Sequence, residues 1–316
     1  MDRTLEFQQA TSRISGKGLI ESLEAAREGD PTGQLQVAAT MTWAAFSCPD
    51  AISAVYDNIS TVWLGDGALR EIDDGLPEAP LEAGFWEEYW EVVEDSREGV
   101  IPSSANARIS ALGILEAHPG FLSIAERSVK NDPRVRPAID ETSSQGLQPD
   151  VLRTCPAGSL GQTLYGMIIG HGYSLELIER RLNYANSLPQ LLRRVNTHVL
   201  QMHRPWEIVA GYDTGGAHQI AYGGFQVAQF GLHQAAMVLA SFATIGCFLA
   251  PTGFYILLYL IAEGWRHGQQ TPAFMEIDWD SEWVHSVDTI RKRHGIASFR
   301  SVFSRNLFEV FGTSSA

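Results

Sequence analysis

Cysteine is scarce in this chain of 316 residues. Cys48, Cys155 and Cys247 are the 3 that occur. They are far apart and odd in number, so neither a disulfide framework nor a Cys-x-x-Cys zinc or redox site can be built from them. Basic side chains are few as well: 23 Lys and Arg stand against 37 Asp and Glu, a formal charge of −14. Nonspecific nucleic-acid binding draws its affinity from cations placed on phosphates, so no nucleic-acid partner is expected. Also missing is an unbroken apolar run of about 20 residues, the length that spans a bilayer. The longest candidate, AAMVLASFATIGCFLA from Ala235 to Ala250, is cut by Pro251, Thr252 and Gly253 before a second apolar run from Phe254 to Ala262. The expected structure is therefore a buried helical hairpin, since helices that are apolar all round occur in cores as well as in membranes. Met1 to Gly18 has no apolar stretch suited to a signal-peptide core. A cytoplasmic location is expected, open to peripheral membrane contact.

Several signatures of common enzymes are absent too. The chain has no Gly-x-x-x-x-Gly-Lys-Ser/Thr phosphate loop, no Gly-x-Gly-x-x-Gly turn, no Gly-x-Ser-x-Gly nucleophile elbow and no His-Glu-x-x-His helix. The acidic stretch from Arg70 to Glu98 lacks the carboxylate spacing of an EF-hand loop and reads as a solvated face over the short helix FWEEYWEVVE. Strand-like alternation is rare, and no repeat or low-complexity segment is found.

What is present is helical periodicity and enough apolar composition, 45%, for a sizeable core. Leu19, Ile20, Leu23 and Ala26 fall at helical spacing between Lys17 and Glu28; Asp30-Pro31 stops that helix, and Gln34 to Phe46 resumes the pattern. Prolines 133, 137 and 149 mark a connection near residues 131–149, which divides an N-terminal helical region, 1–148, from a helical core, 149–316, within one continuous fold. Ser174 to Leu200 reads as two helices divided at Pro189, with Ser174 as N-cap and Glu176 close behind it. From Phe299 to Phe311, aromatic residues alternate with Arg300 and Arg305, the pattern of an amphipathic helix that docks on a membrane surface, on a partner or on the protein's own core. The fold class expected is all-α, a multi-helix bundle.

Polar residues concentrate just before the apolar hairpin: His198, His203, Arg204, Trp206, Glu207, Tyr212, Asp213, His218 and Gln219. His203 and Glu207 are four apart and would share a helix face, a pairing suited to zinc, iron or manganese. Pro205 lies between them. Its ring clashes with the carbonyl four residues back, so the expectation is a helix that begins at Arg204 or Pro205.

Three stretches resemble the ubiquinone (coenzyme Q) biosynthesis protein four family. Cys155 to Gly161, CPAGSLG, is similar to its Leu-Pro-x-Gly-Ser/Thr-Leu-Gly turn; Trp206 to Gln229 is similar to its Trp-His-Val-Leu-Thr-Gly-Tyr segment and following helix; Ala262 to Gly268 with Ile277 to Asp280 is similar to its C-terminal Glu-Ala-Trp-x-x-Gly and Asp-Trp-Glu. The family's metal motif, His-Asp-x-x-His followed after eleven residues by Glu, falls here on His203, Arg204, Glu207 and Gln219, so only the first position is kept. A permanent cation replaces a carboxylate and a neutral amide replaces the last ligand. No metal or other cofactor is expected, with a set rebuilt from His203, Glu207 and His218 left as the alternative.

The resemblance implies an all-helical binder of a prenylated or quinone-like molecule in quinone or isoprenoid metabolism, with an apolar, lipid-type cavity, peripheral membrane association and a late ring modification as its chemistry. The catalytic candidates are His203, Arg204, Glu207 and Tyr212; the substrate-binding candidates are Trp206, His218, Gln219, Phe225, Met237 and Phe242. Alternatives are a metal-independent natural-product tailoring enzyme of cyclase type, with Arg204 stabilising negative charge and Glu207 or His203 moving a proton, and a noncatalytic membrane-surface scaffold. The expected partner is a hydrophobic small molecule or prenyl lipid, and a homo-oligomer is left open.

Overall fold

The computed structural model describes residues 3–65, 67–96, 119–135, 147–170, 188–231 and 233–307. Among these there are fourteen α-helices, α1 to α14 in chain order, and no strand, which is the all-α bundle expected. Ser174, Glu176 and most of the connection between 131 and 149 lie outside the described residues.

The N-terminal helices begin where side chains can cap them. Ser15 accepts the Gly18 N–H at the start of α2 (Gly16–Arg27), and Asp30 accepts the Gly33 N–H at the start of α3 (Pro31–Phe46), with Pro31 in the first turn. Thus Asp30-Pro31 both ends one helix and opens the next. Helix α4 (Ile52–Leu64) follows, and α5 (Ala83–Asp95) buries Phe85, Tyr89, Val92 and Val93 while its glutamates face outward. The ring of Phe7, from α1 (Arg3–Ala10), packs among Trp86, Tyr89, Trp90 and Phe248. Short helices α6 (Pro119–Asn131), α7 (Pro149–Arg153) and α8 (Leu160–Ile169) connect to the core.

The core is built from α9 (Gln190–Ala210), α10 (Gly216–Phe230), α11 (His233–Leu249) and α12 (Phe254–Gln270). The apolar run is buried as expected, with its break formed by a 3-10 turn at Pro251–Gly253. Its two helices do not chiefly pack on each other: α11 lies on α3, and α12 lies between α10 and α4. The α10–α12 contact is close because glycines line it. A Cβ at Gly264 would stand 1.8 Å from the Ala221 carbonyl oxygen, and one at Gly224 2.5 Å from that of Ile261. Gln229, fully buried, staples the far end: its amide donates to the carbonyls of Gly268 and Thr271 and accepts the Phe274 N–H. No helix of the described residues is long and apolar enough to cross a membrane.

Two local expectations are corrected. Helix α9 runs straight through Pro205. A proline inside a helix costs about 3 kcal/mol, but Leu192, Val195, Val199, Met202, Trp206 and Val209 are all buried on both sides of it. Burying a large apolar side chain yields about 1.5–3 kcal/mol each, so the continuous stripe wins. The second correction concerns the C-terminus. After α13 (Trp279–Glu282) and α14 (Val287–His294), residues 296–306 contain no helix. They form a strap laid across the core, and the remainder to Phe311 lies outside the described residues.

Candidate functional site

Helix α9 carries Arg204 and Glu207 one turn apart. The Arg204 guanidinium donates through Nη1 to Glu207 Oε2, and Gln219 at the start of α10 donates through Nε2 to Glu207 Oε1. The same amide group also donates to the Asp213 carbonyl at 2.7 Å. Both carboxylate oxygens are thus occupied by donors, in a side chain that is 2% exposed. Burial raises the Glu207 carboxyl above its usual range, and the Arg204 charge and the two hydrogen bonds only partly offset it. Arg204 itself is 17% exposed, yet its Nε is buried and has no hydrogen-bond partner.

The turn between α9 and α10 brings in the next residues. Gly211 ends α9 with φ of 87°, a conformation glycine takes without steric cost. A side chain there would also strike Ser298 of the strap, whose Oγ would be 2.1 Å from the Cβ. Tyr212 is buried, and its hydroxyl pairs with His267 Nδ1 at 2.8 Å. Burial pushes its phenol well above the ordinary tyrosine value and pushes His267 down. His218 Nδ1 accepts the Asp213 N–H at 3.2 Å, so that nitrogen is unprotonated and its 3.4 Å approach to Asp213 Oδ1 is not an ion pair. Burial lowers the His218 value in the same sense. His203 sets its ring edge-on to Tyr222 at 5.0 Å, and the Tyr222 hydroxyl donates to the His203 carbonyl.

Of the residues picked from the sequence, His203, Arg204, Trp206, Glu207, Tyr212, His218, Gln219 and Phe225 come together on α9, the turn and α10. The Trp206 indole stacks on Phe230 at 4.5 Å, and its Nε1–H is buried without a partner, as is Nδ1 of neighbouring His198. Phe225 is fully buried among the rings of Tyr212, Tyr222, Phe230, His267 and Phe274. Met237 is buried and Phe242 half-buried on α11, the helix that packs on α3.

The donor set does not suit a divalent metal. Glu207 spends both oxygens on Arg204 and Gln219, a guanidinium stands beside it, and the His218 nitrogen facing Asp213 accepts a main-chain N–H. Among the described residues no group of three or more His, Cys, Asp or Glu is arranged to hold a metal ion.

The strap was not anticipated as part of this site. Phe299 stacks on Tyr212 with centroids 4.3 Å apart and donates its N–H to the Ala210 carbonyl. Ser301 donates its hydroxyl to Glu263, and Arg305 pairs with Asp213 at 3.1 Å. The available signal was Glu263 itself, the acid that ends a stretch without formal charge running from Thr214, and His267 one turn later. Asp213 would be raised by burial, but the Gly215 N–H and Arg305 outweigh that and hold it below the usual carboxylate range.

The three segments that carry the family resemblance meet in this region. Leu160 and Gly161 donate their N–H groups to the carbonyls of His285 and Trp283, Trp206 packs against Trp279, and Gly264 abuts Ala221. Comparison with protein-family models gives no match, and comparison with curated proteins gives none either. Among solved structures, the chain is similar to the crystal structure of a "putative ubiquinone biosynthesis protein" from Nostoc punctiforme PCC 73102, with 21% identity over 68% of this chain and 97% of that one and a TM-score of 0.49.

Proposed function

We propose that the protein binds a hydrophobic, quinone-like or prenylated molecule of quinone or isoprenoid metabolism, and that Arg204 holds an oxygen of its ring without help from a metal. The observation that carries this reading is the set of unmet polar groups on α9: Arg204 Nε, Trp206 Nε1 and His198 Nδ1 are buried without a hydrogen-bond partner among the described residues. A buried polar group left unpaired costs about 1–3 kcal/mol. Two of these are N–H donors, so the group that would relieve them is an acceptor, and a quinone carbonyl on an otherwise apolar molecule supplies one. The sequence resemblance points to the same ligand class. Peripheral contact with a membrane and self-association belong to this proposal as ways of reaching such a ligand.

A late ring modification, or a cyclase-type tailoring step, is the second reading. It is favoured by Glu207, whose burial raises its hold on a proton beside a permanent cation, an arrangement able to shuttle a proton while Arg204 steadies negative charge. Tyr212 serves poorly as an acid in that step, because its hydroxyl is tied to His267 and its phenol is pushed up.

The test is organic extraction of the purified protein with mass spectrometry, followed by titration with a decyl-substituted benzoquinone read by tryptophan fluorescence. Retention of an apolar molecule, or saturable quenching weakened about tenfold in Arg204→Met, supports the reading. No retained molecule together with no saturable quenching overturns it.

A further inference from the structure

A concavity lies between α4 and α12, with a volume of about 410 Å³. It shares α12 with the candidate site but none of the residues discussed there. Its walls are Asp57, Ser60 and Thr61 of α4, the loop segments at Gly67, Ala68 and Arg70, and Trp265, Arg266, Gln269 and Gln270 of α12. Ligand pockets are mostly apolar with a few placed polar groups, and this wall sets Arg70, Ser60, Thr61 and Gln269 among the apolar surface of Trp265 and Ala68.

Three observations show that the wall is set up to donate hydrogen bonds. First, the one acid among its described residues is already satisfied: Asp57 takes the Trp265 indole N–H on Oδ1 at 2.9 Å and Arg70 Nη1 on Oδ2 at 2.7 Å. Second, Arg70 is positioned from within. Asn58, fully buried, donates to the Arg70 carbonyl at 2.8 Å and accepts its N–H at 2.7 Å, so the backbone is clamped from both sides. One nitrogen of the guanidinium rests on Asp57 while Nη2 and Nε make no protein hydrogen bond among the described residues. Third, buried helical hydroxyls elsewhere spend their proton on the carbonyl four residues back, as Thr40, Thr42, Ser96, Ser241 and Thr244 do. Ser60 and Thr61 make no such bond, although Ser60 is only 7% exposed. At the far wall, Gln269 turns its oxygen to Arg134, leaving its amide nitrogen as the unspent end.

We propose that this cavity binds a small metabolite bearing an oxyanion, a carboxylate or a phosphate, held by Arg70 and the hydroxyls of Ser60 and Thr61, with Arg266 on the opposite wall. The guanidinium fork and paired hydroxyls suit the two or three coplanar or tetrahedral oxygens of such a group. The cavity lies at the low end of the size range for ligand pockets, about 300–1,000 Å³, and the hydrogen-bond donors that line it call for an acceptor a prenyl chain does not carry. It is thus a site for a second, polar molecule, independent of the apolar ligand proposed above.

The experiment is calorimetric titration of the full chain with inorganic phosphate and, separately, with malonate, at fixed ionic strength set by chloride. One saturable site is expected for at least one probe, and the preferred probe identifies the oxyanion as phosphate or carboxylate. Arg70→Gln should weaken it about tenfold or more. That variant keeps the Asn58 clamp, which holds backbone atoms, and its side chain is 57% exposed, so the fold is retained. Ser60→Ala should weaken binding several-fold, and Arg127→Gln, whose side chain pairs with Asp50 and lines no part of the cavity, should not change it. Absence of saturable binding by both probes, or binding of equal strength in Arg70→Gln and Ser60→Ala, would overturn the proposal. Neither result bears on the decyl-benzoquinone titration.

Discussion

The guanidinium of Arg204 closes on the carboxylate of Glu207 one turn further along the same helix. Gln219 takes the other oxygen, so Arg204, Glu207 and Gln219 form a hydrogen-bonded set of their own. Removing the acid while keeping its shape should expose how that set is held. Glu207→Gln leaves Arg204 without a counter-charge and turns an amide N–H toward one donor or the other. Loss of one partner from a buried pair costs about 3–5 kcal/mol; because Arg204 retains some exposure, about 2 kcal/mol is expected in urea unfolding at pH 7. Metal content by elemental analysis should be the same in both proteins. Arg204→Met should cost less at pH 5 than at pH 8, since Glu207 is already raised by burial and can be neutral at the lower pH. Equal cost at both pH values would mean that Glu207 keeps its charge without the arginine.

A Cβ at Gly264 would overlap the Ala221 carbonyl oxygen at 1.8 Å, main chain against main chain, with no flexible side chain to yield. Gly264→Ala should therefore separate α10 from α12 and destabilise the protein by about 3 kcal/mol, at the upper end for overpacking. Gly166→Ala in α8 is the matching control. Nothing lies within 4 Å of a Cβ there, and alanine in a helix interior is favoured by about 0.5–1 kcal/mol. Thermal melts that shift downward for the first and slightly upward for the second check the pair.

The break at Asp30-Pro31 was legible because its causes, a capping side chain and a proline, are local. Pro205 misled for the same reason: its local penalty is real, but six buried side chains on one stripe decide the outcome, and burial depends on what packs opposite. The C-terminal strap shows the complementary failure. Its aromatic and basic pattern fits a helix, yet the Phe303 and Asn306 N–H groups are taken by the hydroxyls of Ser301 and Ser304, and the Phe299 N–H goes to Ala210. Serine competing for backbone donors disfavours helix wherever such alternatives exist. The Arg204–Glu207 contact could be anticipated from spacing. The Tyr212–His267 bond, across 55 positions, could not.

Glu282 offers the clearest dependence on pH. It is 2% exposed and accepts Arg293 Nη1 at 2.8 Å and His294 Nε2 at 3.0 Å on one oxygen. Burial alone would raise its carboxyl, but the hydrogen bonds and charges of His294 and Arg293 outweigh it and hold the group below the usual glutamate value. A carboxylate lowered on folding contributes stability that is fully present above the unfolded value, about 4.3, and is lost as pH falls through the folded one. Glu207 and Glu263 are raised by burial and act in the opposite sense: their contribution is present at low pH and fades as pH rises through their own values. The contribution of Glu282 is therefore read as a difference between wild type and Glu282→Gln, in which the other two cancel. Because Arg293 is 44% exposed, solvent screens part of the pairing, and a difference of about 1 kcal/mol is expected at pH 7. Urea unfolding from pH 7 to pH 3 should show the two proteins converging below about pH 4. Parallel curves over the whole range would show that the carboxyl is not held down by its partners, and that Glu282 matters for its shape rather than its charge.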